Sequence, residues 1–184
     1  MKVAVIGAGS MGGMHADLLG AMDEVDELYV VDADPARAAE VAQRAGGSVV
    51  TFAEAIEASE AIIVATPPVL HRAAVEAAIA AGRHVLCEKP LTESLETTIA
   101  LTRRVQELGA HVEVGFQRRH DAGFIAAREV ATGRIHLVRL TAHDPLVSPR
   151  FAASGPPPEV APMFRDSSIH DFDVVRWLTG QEVT

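Results

Sequence analysis

Two short stretches of this chain carry residue types that could do chemistry. In VLCEKPL (85–91), Lys89 stands between Glu88 and Pro90, and lysine is scarce here: of 16 Lys plus Arg, only Lys2 and Lys89 are lysines. An ammonium is a compact donor with a tunable pKa, whereas a guanidinium stays charged and planar. Lysine therefore suits donation to a substrate hydroxyl oxygen and stabilisation of negative charge there as a proton leaves. In DSSIH (166–170), Asp166 and His170 are four apart, a spacing that shares one helix face. An acid one turn before a histidine fits general acid–base work. The same residues also fit a plain N-cap at Asp166 and a satisfied core histidine at 170, and spacing alone leaves both readings open. Asp171 and Asp173 fall on other faces and read as solvated or structural. Cys87 is the only cysteine, with no partner for a disulfide or a zinc site, and reads as a small buried strand residue.

A third pattern binds rather than reacts. Gly7, Gly9 and Gly12 form G-x-G-x-x-G between an apolar run and a helical stretch, and Asp32 closes the next apolar run. In such a loop Gly7 makes the tight turn, Gly9 admits a pyrophosphate to the backbone N–H groups, and Gly12 lets helix and strand pack closely. The helix N-terminus then faces the phosphates. Asp32 is placed to accept hydrogen bonds from an adenosine ribose and to repel a 2′-phosphate. The next residues, Ala33 and Asp34, bring no cation, so NAD is favoured over NADP.

These groups need a scaffold, and the chain alternates apolar runs with Ala-rich helical stretches over its first 115 residues. Strands are predicted at 2–7, 27–32, 48–51, 61–66, 84–88 and 111–115, and helices over 14–22, 35–46, 69–82 and 94–109. The clearest strands are apolar throughout, as parallel strands covered on both faces are. The pattern predicts a Rossmann-type doubly wound parallel sheet, domain 1–117. Strand five ends at Glu88-Lys89-Pro90, and strand four leads into Thr66, Pro67 and Pro68, on the edge where such sheets bind ligands. From 118 to 184 a smaller, incomplete α+β domain is expected: a helix over 118–133, a long strand over 134–144, a Pro-rich loop over 145–162 and a closing helix over 165–180.

Composition narrows the partners. A net charge of −9 and a pI near 5.3 argue against a nucleic-acid surface and against a polybasic membrane anchor. The longest apolar stretch, AIIVATPPVL at 61–70, is short for a bilayer span and holds two prolines. The first residues enter a strand and a glycine turn rather than a signal peptide, so a cytoplasmic protein is expected.

Several segments together resemble the Gfo/Idh/MocA family of nicotinamide-dependent oxidoreductases: VAVIGAGSMGGMHA (3–16), VVDADPARA (30–38), IIVATPPVLH (62–71), AGRHVLCEKPL (81–91), VGFQRRHD (114–121) and FRDSSIHDFDVVRWLTGQEV (164–183). The last is most similar to the inositol 2-dehydrogenase branch. The resemblance implies NAD as cofactor and no metal. It implies a cofactor site of Gly7, Gly9, Ser10, Met11, Gly12, Asp32, Thr66, Pro67, His71, Glu88 and Lys89. It further implies oxidation of a secondary ring alcohol of a polyol or sugar, with His170 as general base and Lys89 and Asp166 holding the substrate. Two departures stand out. Ala161-Pro162-Met163-Phe164-Arg165 occupies the place of a usual Gly-Gly pair, and His136 that of a second glycine. Family members also continue well past this length. The strand over 134–144 is thus expected to need neighbours from a further polypeptide segment or from a homo-oligomer. Two other readings stay open: the same fold acting on another sugar or small cyclic alcohol, or a catalytically incomplete dinucleotide-binding or interaction module.

Overall fold

The computed structural model describes residues 1–131, 135, 137–141 and 167–182. The chain divides into two compact units, Met1–Gly115 and Phe116–Thr184. In the first unit, β1 (Lys2–Ile6), β2 (Glu27–Val31), β3 (Ser48–Val49), β4 (Ala61–Val64), β5 (His84–Cys87) and β6 (Val112–Val114) form one sheet of order β3-β2-β1-β4-β5-β6. Every neighbouring pair is parallel. Parallel strands need crossover connections, and α1 (Ser10–Gly20), α2 (Pro35–Ala45), α3 (Phe52–Ala58), α4 (Pro68–Ala80) and α5 (Leu95–Leu108) supply them.

Alternation along each strand feeds two cores. Val3, Val5, Leu28, Val30 and Ile63 pack with Ala16 of α1 and Ala38, Val41, Ala42 and Ala45 of α2. Ala4, Ile6, Ile62, Val64, Val85 and Cys87 pack with Ala55 of α3, Ala74, Val75, Ala78 and Ile79 of α4, and Leu101 of α5. Strands buried on both faces read as unbroken apolar runs for this reason. Cys87 lies within the second core, where burial pushes its thiol up to about 12, an inert state.

Local chemistry sets the helix ends. Asp34 caps α2 by accepting from the N–H groups of Ala36 (2.9 Å) and Arg37 (3.3 Å), with Pro35 at the first helical position. α3 was absent from the sequence expectations, yet TFAE (51–54) carries its signal. Thr51 and Glu54 make a reciprocal capping box. At its other end Arg83 donates to the carbonyls of Ile56 (2.9 Å) and Glu57 (2.8 Å), placing a cation at the negative end of the helix dipole.

The described elements of the second unit are helices. The single helix expected over 118–133 is two pieces, a 3₁₀ turn (Gln117–His120) and α6 (Ala122–Val130). Asp121 breaks the run because its carboxylate accepts from Gly123 N–H (2.9 Å) and Phe124 N–H (3.2 Å), starting a new helix. Residues 135 and 137–141 of the expected 134–144 strand are not paired in a sheet. An apolar run supplies no ladder without a paired neighbour; the rest of that segment, and the loop 142–166, lie outside the described residues. The closing helix is α7 (Ile169–Thr179), stopped by Gly180 at φ 66°. It begins later than expected, with Ser168 rather than Asp166 at the N-cap position. Arg118 pairs with Asp171, and Arg119 holds Asp173 through Nε at 2.8 Å and through its second fork nitrogen. These two aspartates therefore bolt α7 to the 3₁₀ turn. No helix among the described residues is long and apolar enough to cross a membrane.

Ile62 is fully buried on β4, between β1 and β5. Ile62→Ala is expected to lower stability by about 2–5 kcal/mol, read as a lower urea midpoint at unchanged slope.

Candidate functional site

Strand register builds the site. Ile6 is level with Val31 and Val64, Val64 with Cys87, and Cys87 with Val114. The ladder extends one residue past these ends, with Gly7 N–H donating to Val31 O (2.8 Å), Ala65 to Ile6 O (2.8 Å), Glu88 to Val64 O (2.9 Å) and Gly115 to Cys87 O (2.8 Å). Gly7, Asp32, Ala65, Glu88 and Gly115 thus come to one edge, at the point where the strand order reverses direction around β1.

Two glycines of the loop are required by contact. At Gly7 φ is +98°, and a Cβ would stand 2.7 Å from the Ala65 carbonyl; at Gly12 a Cβ would stand 1.7 Å from Gly7 O. Gly9 has nothing within 4 Å of its Cβ position. It is the N-cap residue of α1, whose first turn has no side-chain cap, and Ser10 and Met11 open that helix. A helix start of that kind, with open space over Gly9, is an anion cradle. Across the edge Thr66 Oγ1 is buried without a hydrogen-bond partner, a hydroxyl directed at an unmet need. These features fit a dinucleotide.

Asp32 is held firmly. Its carboxylate side chain is 6% exposed and accepts from Ala8 N–H (2.6 Å) and Asp34 N–H (2.8 Å). Arg37 grips it as a fork, through Nε at 3.2 Å and Nη2 at 2.7 Å. Burial alone would raise the Asp32 carboxyl; the hydrogen bonds from Arg37, Asp34 and Ala8 and the charge of Arg37 outweigh it and hold the group below its usual range. The sequence reading considered only positions 33 and 34 and missed this cation. Arg37 lies five residues on, and the first turn of α2 brings it back.

His71, on α4, is 1% exposed. Its Nε2 lies 2.7 Å from Thr66 O and its Nδ1 2.9 Å from Pro90 O, so both ring nitrogens are occupied in tying the turn after β4 to the turn after β5. Pro67 is exposed at the mouth of α4, and the Lys89–Pro90 peptide is cis. Glu88 and Lys89 are half-buried. The Glu88 carboxylate is met by His15 Nε2 at 2.8 Å and by Lys89 N–H at 3.3 Å. His15 had not been singled out. It carries no motif of its own and is found only by following Glu88.

In the second unit, half-buried His170 opens the first turn of α7 and meets Phe116 edge-on, ring centroids 6.2 Å apart. Asp166 lies outside the described residues.

The first unit is thus a dinucleotide-binding domain of Rossmann type. Residues 1–116 match the family model for oxidoreductases with an NAD-binding Rossmann fold, and the chain belongs to this Gfo/Idh/MocA family. Its relatives include a myo-inositol dehydrogenase of Streptomyces leeuwenhoekii, 41% identical over all of this chain and 57% of the relative, and an inositol 2-dehydrogenase of Rhizobium meliloti, 34% identical over 99% of this chain and 56% of the relative. Among solved structures, a scyllo-inositol dehydrogenase from Lactobacillus casei with bound NAD(H) and scyllo-inositol superposes with a TM-score of 0.86 at 26% identity, covering 99% of this chain and 57% of that one. The chain spans somewhat over half the length of the relatives it matches.

Arg37 makes a sharp expectation for cofactor choice. If Asp32 is the ribose acceptor, Asp32→Ser removes it and releases the guanidinium toward a 2′-phosphate. NADH affinity should fall by about tenfold to a hundredfold, the weight of a charge-assisted hydrogen bond, while NADPH binding rises. Fluorescence titration with both cofactors reads the exchange, and the Asp32→Ser, Arg37→Ala double substitution should bind neither well.

Proposed function

We propose that the protein is an NAD-dependent oxidoreductase that oxidises a secondary alcohol of a cyclic polyol or sugar of the inositol type. The observation that carries this reading is the position of Lys89. It directly follows Glu88, the β5 edge residue whose backbone shares a row with the glycine loop and Asp32, which supports a role for its amine at the ligand edge of a dinucleotide site. The names of the relatives support the substrate class.

When bound, the nicotinamide supplies the hydride acceptor. The remaining work falls to side chains of this chain. His170, on the first turn of α7, takes the hydroxyl proton on an imidazole nitrogen. Lys89 donates a hydrogen bond to the same oxygen as negative charge builds there, and Asp166 assists in holding the substrate and tuning the base. Phe116 against the ring and the Arg118–Asp171 and Arg119–Asp173 bolts around the first turns of α7 limit the motion of His170. On the cofactor side, Gly7, Gly9, Ser10, Met11 and Gly12 receive the pyrophosphate, Asp32 the ribose, and Thr66, Pro67 and Glu88 frame the nicotinamide end, with buried His71 supporting the Thr66 and Pro90 turns from behind.

The test is steady-state oxidation of myo-inositol with NAD, beside NADH binding. Lys89→Ala and His170→Ala should each lower kcat by about 10²–10⁴-fold, the usual weight of positioned proton transfer, with NADH affinity kept. Lys89→Arg should not recover the rate, because a planar fork does not replace a compact donor. Turnover in Lys89→Ala equal to the parent chain would overturn the reading. NADH binding with no turnover of any polyol or sugar would favour a dinucleotide-binding module instead.

A further inference from the structure

Both neighbours of Lys89 are anchored by a histidine, each from a different helix. On one side, His15 of α1 donates from Nε2 to Glu88 Oε1 at 2.8 Å, and the two side chains are only 17% and 13% exposed. The other carboxylate oxygen, Oε2, accepts the backbone N–H of Lys89 at 3.3 Å. The carboxylate lies flat against Gly115, where a Cβ would come within 3.2 Å of Oε2, 3.3 Å of Cδ and 3.4 Å of Oε1. On the other side, Pro90 O is held by His71 at 2.9 Å.

Glu88 is thus confined from three directions: by a histidine, by the peptide of the next residue and by a glycine backbone. Burial alone would raise its carboxyl, but the hydrogen bond and charge of His15 and the peptide and charge of Lys89 keep it ionised below its usual range. The Lys89 ammonium therefore already feels this carboxylate. His15 occupies the oxygen that does not serve the Lys89 peptide, so it decides where the carboxylate points. A bolt joining α1 to β5 would need no such coupling to the following peptide.

We propose that His15 is a positioning residue for Lys89, acting through Glu88, with His71 on Pro90 closing the bracket. The inference rests on the reading that Lys89 handles the reacting oxygen, and a displacement of the order of 1 Å at such a group can cost about 10²-fold in rate.

With only two lysines in the chain, ¹⁵N-lysine labelling yields two backbone amide signals, Lys2 and Lys89, assigned with Lys2→Arg. His15→Leu should move the Lys89 signal and leave that of Lys2 in place. It should lower kcat for polyol oxidation by about tenfold to a hundredfold, while KM and NADH affinity stay near those of the parent. His15→Gln, whose amide still donates to the carboxylate, should restore most of both, although the two variants lose similar packing. Gly115→Ala crowds the same carboxylate from the opposite side and should shift the Lys89 signal and depress kcat in the same way; it carries the test if His15→Leu does not fold. An unmoved Lys89 signal in the folded variants would overturn the proposal. So would a moved signal with kcat unchanged, or equal kcat losses in His15→Leu and His15→Gln. Absence of turnover in the parent chain would instead sink the dehydrogenase reading, and the amide signal would still report whether His15 places the lysine.

Discussion

The site depends on the hydrogen-bond ladder that β1 makes with strands on both sides. β1 is the only strand that pairs with both β2 and β4, so its register sets where the loops of both halves emerge. Because Ile6 is level with Val31 and Val64, the glycine turn, Asp32 and the turn at Thr66 come to one edge. A one-residue slip of any of these strands would exchange its two faces and send its loop residue away from the row. The two apolar cores prevent such a slip. Val3 and Val5 belong to one core and Ala4 and Ile6 to the other, so a shifted strand would mismatch both at once.

Much of this was legible in the residues. The unbroken apolar runs of KVAVI, ELYVV and AIIV announce parallel strands covered on both faces, and Gly7 and Gly12 prove necessary by contacts of 2.7 and 1.7 Å. What escaped falls into two physical kinds. Short elements stabilised by one cap give little periodicity, and α3 spans only Phe52–Ala58 with its signal confined to the Thr51–Glu54 box. Long-range polar pairs give no local signal at all. His15 and Glu88 are 73 residues apart, and Arg119 and Asp173 are 54 apart. Asp121 was hidden in the opposite way: it fell inside the single helix expected over 118–133, and its carboxylate instead starts a new helix at Ala122. The closing helix errs at its border for a related reason, since RDSS offers several capping residues and only the structure shows that Ser168 holds the N-cap position.

Asp32 shows how a binding residue is kept ready. A carboxylate at 6% exposure without partners would cost several kcal/mol in desolvation. The chain meets this with two peptide N–H groups and a guanidinium fork. The peptide donors come from the glycine turn and from the start of α2, so the same contacts that stabilise the charge also fix the glycine loop. Arg37 is 48% exposed at its side chain, while the carboxylate that it grips is 6% exposed. On the proposed reading, cofactor preference is then a property of the Asp32–Arg37 pair: the carboxylate accepts from ribose hydroxyls and repels a 2′-phosphate, and it engages the guanidinium that would otherwise attract one.

The same division between fork and point charge explains why the lysine at 89 stands out. Among the described residues arginine makes most of the ion pairs, including Arg37 to Asp32, Arg44 to Asp17, Arg118 to Asp171, Arg119 to Asp173 and Arg176 to Glu182. Several of these are two-point contacts of the kind a planar fork makes best. Where this chain needs a cationic cross-link, it uses guanidinium. Lys2 pairs with Glu27 at the surface, a place where either cation serves. Lys89 instead sits half-buried between two residues whose own polar groups are already committed, Glu88 to His15 and Pro90 to His71. The supports act on the neighbours of the lysine and fix the backbone from which its side chain leaves. A side chain that leaves from a backbone fixed in that way starts from a defined place, and prior positioning of this kind is the condition under which a single group contributes most to a rate.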